Sequence, residues 1–210
     1  MRTNVYIDGF NFYYGCVKGT PYKWLNFEAL CQRIFPSHNI HRIRYFTARV
    51  HSPANDPQKP QRQETYLRAL QTIPCLTIHY GTFLSHTVRM LLANPTSSGS
   101  QLVDVIKTEE KGSDVNLATY LLVDGFAKDY EMAIVVSNDS DLIEPIKQVR
   151  QVLQLRVGIL NPQKDNQKTS WSLMRTADFY RRIHTGALKA SLFPPTLTDA
   201  HGTITKPKGW

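Results

Sequence analysis

Four aspartates stand at the boundaries of apolar patterns. Asp8 follows Val5-Tyr6-Ile7, and Asp139 and Asp141 follow Ala133-Ile134-Val135-Val136-Ser137-Asn138. A carboxylate after a short, β-branched apolar run sits at the carboxyl end of a buried strand, where open α/β sheets gather ligand-binding groups. A third position, Asp114, opens a helical pattern behind Lys111-Gly112-Ser113. Two bare carboxylates about 4 Å apart repel by roughly 4 kcal/mol at an effective dielectric near 20. A set of three or four therefore takes up protons or recruits a cation. Oxygen ligands without cysteine or paired histidine suit Mg²⁺ or Mn²⁺, not zinc. An ion held this way can polarise a phosphoryl oxygen and generate a hydroxide nucleophile. The candidate metal ligands are Asp8, Asp114, Asp139 and Asp141, and Lys111 is placed to screen the acids or meet a phosphate.

Three of the acids also have a plainer reading. Asp8 can cap the segment after it, Asp141 with Glu144 can form a helix-start pair, and Asp114 suits the first turn of a helix. Asp139 has no such alternative in the sequence.

The elements that must position these residues are legible as alternating periods. Asn4–Ile7, Ile40–Val50, Cys75–His79, Met132–Ser137 and Leu155–Ile159 read as strands, and Phe27–Ile34, Gln58–Ile73, Asp114–Ala127 and Leu142–Leu153 as helices. Leu117, Ala118, Leu121 and Leu122 make one apolar stripe. Strand–helix alternation implies an α/β fold: a three-layer α/β/α sandwich around a mostly parallel sheet of about five strands. Residues 82–107 read as a hairpin-like insertion with a turn-rich, mobile tip at 94–100, and 162–170 as a polar loop. The sequence thus divides into one domain over 1–190 and an extended, proline-containing tail over 191–210.

Composition restricts the class. The chain has 210 residues, 41% of them hydrophobic and 20% charged, with a net charge of +8. That balance suits a globular protein with an anionic partner such as nucleic acid. No apolar run approaches the roughly 18 residues of a membrane span, and the start has no secretory pattern; a cytoplasmic protein without a membrane partner is expected. Cys16, Cys31 and Cys75 are too few and too scattered for a disulfide framework. Tyr13, Tyr14, Tyr22 and Trp24 could stack on bases, and Arg42, Arg44 and Arg49, with Lys59, Arg62 and Arg68, could form a basic stripe. The serine-hydrolase, P-loop and zincin signatures do not occur.

The strings VYIDGFNFYYG, EEKGSDVNLATYLLVDGF and IVVSNDSDLIEPIKQVRQVLQLRVGIL, in this order, resemble the NYN domain family of the PIN-like, flap-nuclease-like fold group. The resemblance covers roughly residues 1–185, and the segment from Leu192 to Trp210 is similar to the tails of bacterial members. It implies a metal-dependent ribonuclease acting on single-stranded or structured RNA with Mg²⁺ or Mn²⁺. The family's first-strand aspartate corresponds to Asp8 and its nearby asparagine to Asn11, which would orient water or the scissile phosphate. The K-G-x-D aspartate corresponds to Asp114, and the S-x-D-x-D aspartates to Asp139 and Asp141. Ser137 and Asn138 would shape the turn and bond to the substrate side. Tyr120 stands where many members carry an aspartate, and Asn138 replaces a common glycine. A non-catalytic RNA-binding or regulatory module on the same fold, or a metal-dependent phosphatase, are the alternatives, and monomer and homodimer are both compatible.

Overall fold

A computed structural model describes residues 1–210 except 54, 95–100 and 164–168. The expected tip of the insertion and the middle of the 162–170 loop lie largely outside the described residues.

Strand β1 (Arg2–Asp8) is buried on both faces after its first residue. It leads into a short helix α1 (Gly9–Phe12) continued by a π-helical turn (Tyr13–Val17), and then helix α2 (Phe27–Ile34). Strand β2 (Asn39–Thr47), helix α3 (Lys59–Leu70) and strand β3 (Leu76–Tyr80) extend the sheet to one side. A hairpin of β4 (Thr82–Leu91) and β5 (Leu102–Lys111) follows, four residues longer at its end than the sequence suggests. Helix α4 (Ser113–Phe126), strand β6 (Met132–Val136), helix α5 (Ile143–Gln151) and strand β7 (Arg156–Asn161) build the other side. Helix α6 (Trp171–Thr176), strand β8 (Phe179–Arg182), helix α7 (Thr185–Lys189) and the small hairpin β9 (Thr196–Asp199) and β10 (Gly202–Thr205) complete the chain.

The main sheet has six strands in the order β3-β2-β1-β6-β7-β8, all paired in parallel. The sixth strand, β8, escapes a reading by apolar runs because its four residues are Phe179-Tyr180-Arg181-Arg182; an edge strand needs one apolar side only. Alternate residues of the central strands serve two cores. Val5, Ile7, Ile134 and Val136 pack with α2 and α3, while Tyr6, Ala133 and Val135 pack with α4 and α5. That period-two division produces the three layers.

The arginines read as a basic stripe are held in ion pairs. Arg44 meets Asp124, Arg42 meets Asp129, and Arg49, Arg62 and Arg68 meet Glu64, Asp56 and Asp199. For Arg42, Arg44 and Arg68 the partner is distant in sequence, so a count of positive residues along the chain overstates the charge available to a ligand.

The segment expected to be extended contains a small hairpin docked on the domain. Ile204 is buried, the Trp24 indole donates to the Pro194 carbonyl at 2.8 Å, and Trp210 packs on Tyr66. The prolines exclude helix there, but they leave β pairing open to residues 196–205. Among the described residues no helix is long and apolar enough to cross a membrane.

Candidate active site

Strands β1 and β6 are neighbours at the centre of the sheet. From β1 the chain crosses to β2 on one side, and β6 continues to β7 on the other, so strand order reverses between them. A crevice opens at the carboxyl ends of two strands that diverge this way. Asp8 ends β1, and Ser137-Asn138-Asp139 follow β6.

A cavity of about 410 Å³ lies there, lined by Asp8, Asn11, Glu110, Asp114 and Asp139, with Phe10 and Phe83 among its apolar walls. Asp8 is 4% exposed. Its Oδ1 accepts from the Asn11 backbone N–H at 2.9 Å and its Oδ2 from the Ser137 hydroxyl at 3.0 Å. Burial pushes the Asp8 carboxyl up to about 7; the charges of Asp114 and Asp139 act in the same direction, against the two hydrogen bonds. Asp114 is raised by burial first, then by Asp139, Glu110 and Asp141. Neighbouring acids thus add to burial in raising both Asp8 and Asp114.

The turn after β6 is fixed by a short chain of bonds. The Ser137 hydroxyl accepts from the Asp139 N–H at 3.1 Å while donating to Asp8. Asn11 Oδ1 accepts from the Asn138 N–H at 3.1 Å, joining the two strand ends directly. The Asn138 side-chain oxygen accepts from Asn161 and from the Ser170 N–H, which anchors the turn to β7 and the following loop. Ser137, wholly buried, and Asn138 thus brace the site from behind.

Three positions differ from their sequence-based assignment. Asp139 is itself an N-cap, its Oδ1 accepting from the Asp141 N–H at 2.9 Å. The cap falls there because a 3₁₀ turn over Ser140–Leu142 precedes α5, and Glu144 binds Lys147 and Gln148 instead of reaching back. Asp141 is exposed and outside the cavity wall, near enough to raise Asp114. Lys111 is also outside the wall, its Nζ 3.3 Å from Glu109.

Glu110 was not singled out by the sequence reading. Its two oxygens accept from the Ser113 N–H and hydroxyl at 3.1 and 2.6 Å, capping α4 beside Asp114. The signal was present: a glutamate three residues before a serine that starts a helix, with Gly112 between them at φ 99°. The hairpin also supplies Phe83, edge-on to Phe10 at 5.6 Å, so the insertion forms one wall of the site.

A divalent ion fits this donor set chemically, since the carboxylates on offer are oxygen ligands and their charges act to raise Asp8 and Asp114. Among the described residues no group of three or more Asp, Glu, His or Cys side chains closes on one point as a finished cage. Mg²⁺ needs only one or two carboxylates and keeps several waters.

Gly9 carries the approach of α1 to β2. A Cβ there would lie 2.6 Å from the Phe46 carbonyl oxygen and 2.8 Å from the Tyr45 ring. Gly9→Ala is expected to displace α1 and lower stability by about 1–3 kcal/mol, read by urea unfolding. An unchanged midpoint would show that α1 shifts without strain.

A parallel sheet with an acid-lined crevice at its switch point defines an α/β class whose ligand site lies at the strand ends. The chain belongs to the NYN domain family, whose model matches residues 2–184. It is similar to 6-hydroxy-3-succinoylpyridine 3-monooxygenase HspA of Pseudomonas putida (strain DSM 28022 / S16), 31% identical over 236 residues that take in 100% of this chain and 75% of that protein. The fold is shared with VPA0982 of Vibrio parahaemolyticus RIMD 2210633, a crystal structure described as of unknown function, at a TM-score of 0.58, 13% identity, and 91% and 96% of the two chains.

Proposed function

We propose that this protein is a metal-dependent ribonuclease whose phosphodiester chemistry takes place in the cavity between Asp8, Asp114 and Asp139. The observation that carries this reading is that three aspartates distant in sequence share one cavity wall, where burial and neighbouring acids raise the proton affinity of Asp8 and Asp114. Asp8, Asp114 and Asp139 would hold Mg²⁺ or Mn²⁺, with Glu110 beside them and Asp141 acting through water. The bound ion would polarise a phosphoryl oxygen and activate a water. Ser137 and the Asn11 backbone keep the Asp8 carboxylate aimed. Asn11 Oδ1 is engaged by Asn138, so the group Asn11 offers a phosphate or water is its Nδ2 donor. The net charge of +8 favours a polyanionic substrate.

The test is incubation with labelled RNA and DNA oligomers in Mn²⁺, Mg²⁺ or EDTA. RNA cleavage is expected with metal and none with EDTA. Asp139→Asn is expected to slow it by more than the roughly 10–100-fold that loss of an outer-shell partner costs. Binding of RNA without cleavage under any metal would favour a regulatory module, and turnover of p-nitrophenyl phosphate alone a phosphatase.

A second reading follows from the Pseudomonas relative, named for oxygenation of a pyridine that carries a carboxylated side chain. What favours it is an aromatic cavity adjoining the acid site. Consumption of 6-hydroxy-3-succinoylpyridine by this chain with O₂ and a two-electron reductant such as a reduced nicotinamide would support it, provided a hydroxylated product forms.

A further inference from the structure

A second cavity, of about 310 Å³, lies between α1, its π-helical extension, β2, α3 and the segment 206–210. It shares Phe10 and Tyr14 with the acid-lined cavity, so the two adjoin. Its walls are aromatic: Tyr13 and Tyr14 meet edge to face at 5.2 Å, and Trp210 closes the opposite side against Tyr66 at 5.6 Å. Four cationic side chains, Lys23, Lys59, Arg62 and Lys208, line it with one acid, Asp56. Arg62 is taken by Asp56. Lys23 lies 5.8 Å over the Trp210 ring, and neither Lys59 nor Lys208 has a carboxylate partner among the described residues. Lysines gathered round an apolar chamber without acids to neutralise them leave a local positive potential.

Size and chemistry select the ligand. The volume is at the small end of the roughly 300–1,000 Å³ of ligand pockets, enough for one ring system with a side group. Flat aromatic walls favour a flat ring through stacking. The surplus lysines favour an anion. We infer that this chamber binds a planar aromatic ring carrying an anionic group, stacked beside Tyr13, Tyr14 and Trp210 and neutralised by Lys23, Lys59 and Lys208. Two sources supply that chemistry: a base and phosphate of a nucleic-acid strand that continues from the acid site, or a free heteroaromatic acid. The inference stands apart from the hydrolytic reading, because binding is measured without metal or turnover.

Titration calorimetry of the full chain in EDTA provides the test, with nicotinate and 6-hydroxynicotinate as aromatic acids and uridine and adenosine 5′-monophosphates as nucleotides. Nicotinamide, uridine and cyclohexanecarboxylate are the neutral and non-planar controls. One equivalent of an anionic aromatic probe is expected to bind, with the controls at least about 10-fold weaker. Trp210→Ala should weaken binding about 10-fold or more, as loss of one stacking partner does, and Lys59→Gln by about 10-fold or more, as loss of a charge-assisted contact does. Trp210→Phe should restore most of it, and melting temperatures show whether each variant is folded. Selection of the acids over the nucleotides identifies a free small molecule as the source, and the reverse identifies a strand; either result supports the chamber. Failure of every anionic probe to saturate at about 10 mM, weaker than any millimolar site, would overturn it. So would controls that bind equally well, or folded Trp210→Ala and Lys59→Gln variants that bind as the parent does.

Discussion

Asp8→Asn is expected to abolish metal-dependent cleavage while raising the melting temperature of the metal-free protein at pH 7. The two effects have one cause. Asp8 is buried beside Asp114 and Asp139, and its carboxyl is pushed up to about 7. Asparagine keeps an oxygen to accept from the Asn11 N–H but has no charge to repel or to bind a cation. The sign of the pH dependence follows by linkage. The folded state keeps the Asp8 proton up to about 7, whereas the unfolded chain loses it near the ordinary aspartate value of about 4. Parent stability therefore falls as pH rises across that window. A displacement of this size corresponds to at most about 4 kcal/mol.

The melting-temperature advantage of Asp8→Asn over the parent should accordingly be small at pH 4, grow towards pH 7, and then level off. Adding Mn²⁺ should raise the melting temperature of the parent, because a ligand of the folded state stabilises it by mass action, and leave the variant unmoved. Thermal scans at four pH values in EDTA, repeated with Mn²⁺, test both. A constant offset between the two proteins would show that Asp8 carries no raised carboxyl. A variant less stable at every pH would assign Asp8 a structural role.

The second large effect is on stability alone. Asp124, 5% exposed, lies behind the sheet between α4 and β2. Its oxygens accept from Arg44 Nε and Nη2, each at 2.7 Å, and from the Tyr6 hydroxyl at 2.8 Å. Arg44 also stacks over Tyr120 and donates to His79, which burial and the Arg44 charge hold below its ordinary range and so neutral. Asp124→Ala leaves a guanidinium with 12% of its side chain exposed and a wholly buried hydroxyl without their acceptor. Breaking one side of a buried pair costs about 3–5 kcal/mol. For a chain of this size that is a fall of roughly 6–20 °C in melting temperature. Replacing both partners together, as Asp124→Leu with Arg44→Met, should recover most of the loss, because an apolar pair leaves no charge uncompensated. A fall under about 1 kcal/mol for Asp124→Ala would mean that water reaches Arg44, as it does in exposed pairs.

This network also explains the departure at Tyr120. The ring packs against Arg44 and His79, on the side of α4 that faces β2 and β3. An acid at 120 would sit in that network, where Asp124 already supplies the anion.

Local order along the chain accounts for much of the architecture. Each short apolar run read as a strand became one, and the acids that close two of those runs came to the crevice because parallel strands all end on one side. Asp8, Asp139 and Asp114 were legible for that reason: each stands at the boundary of an element whose type its own neighbours fix. Asn11 was legible through the family resemblance, and its bond to the Asn138 N–H gives the physical reason for an asparagine there.

Other features depended on segments meeting across the chain, and no window of sequence contains them. Lys111 and Asp141 stand next to site residues in sequence, yet strand pleat and a 3₁₀ turn direct them outside the cavity wall. Glu110 enters because the β4–β5 hairpin folds back on α1, and the sixth strand exists because β7 offers an edge to a segment with little apolar signal. The aromatic chamber needs α1, α3 and residues 206–210 side by side, a neighbourhood that only the packed tail creates. Sequence alone determined which residues end strands and helices, since backbone sterics and apolar periodicity act over a few residues. Tertiary structure decided which charges are paired, which acids share a cavity and where the surplus lysines gather, since those outcomes rest on contacts between residues far apart in the chain.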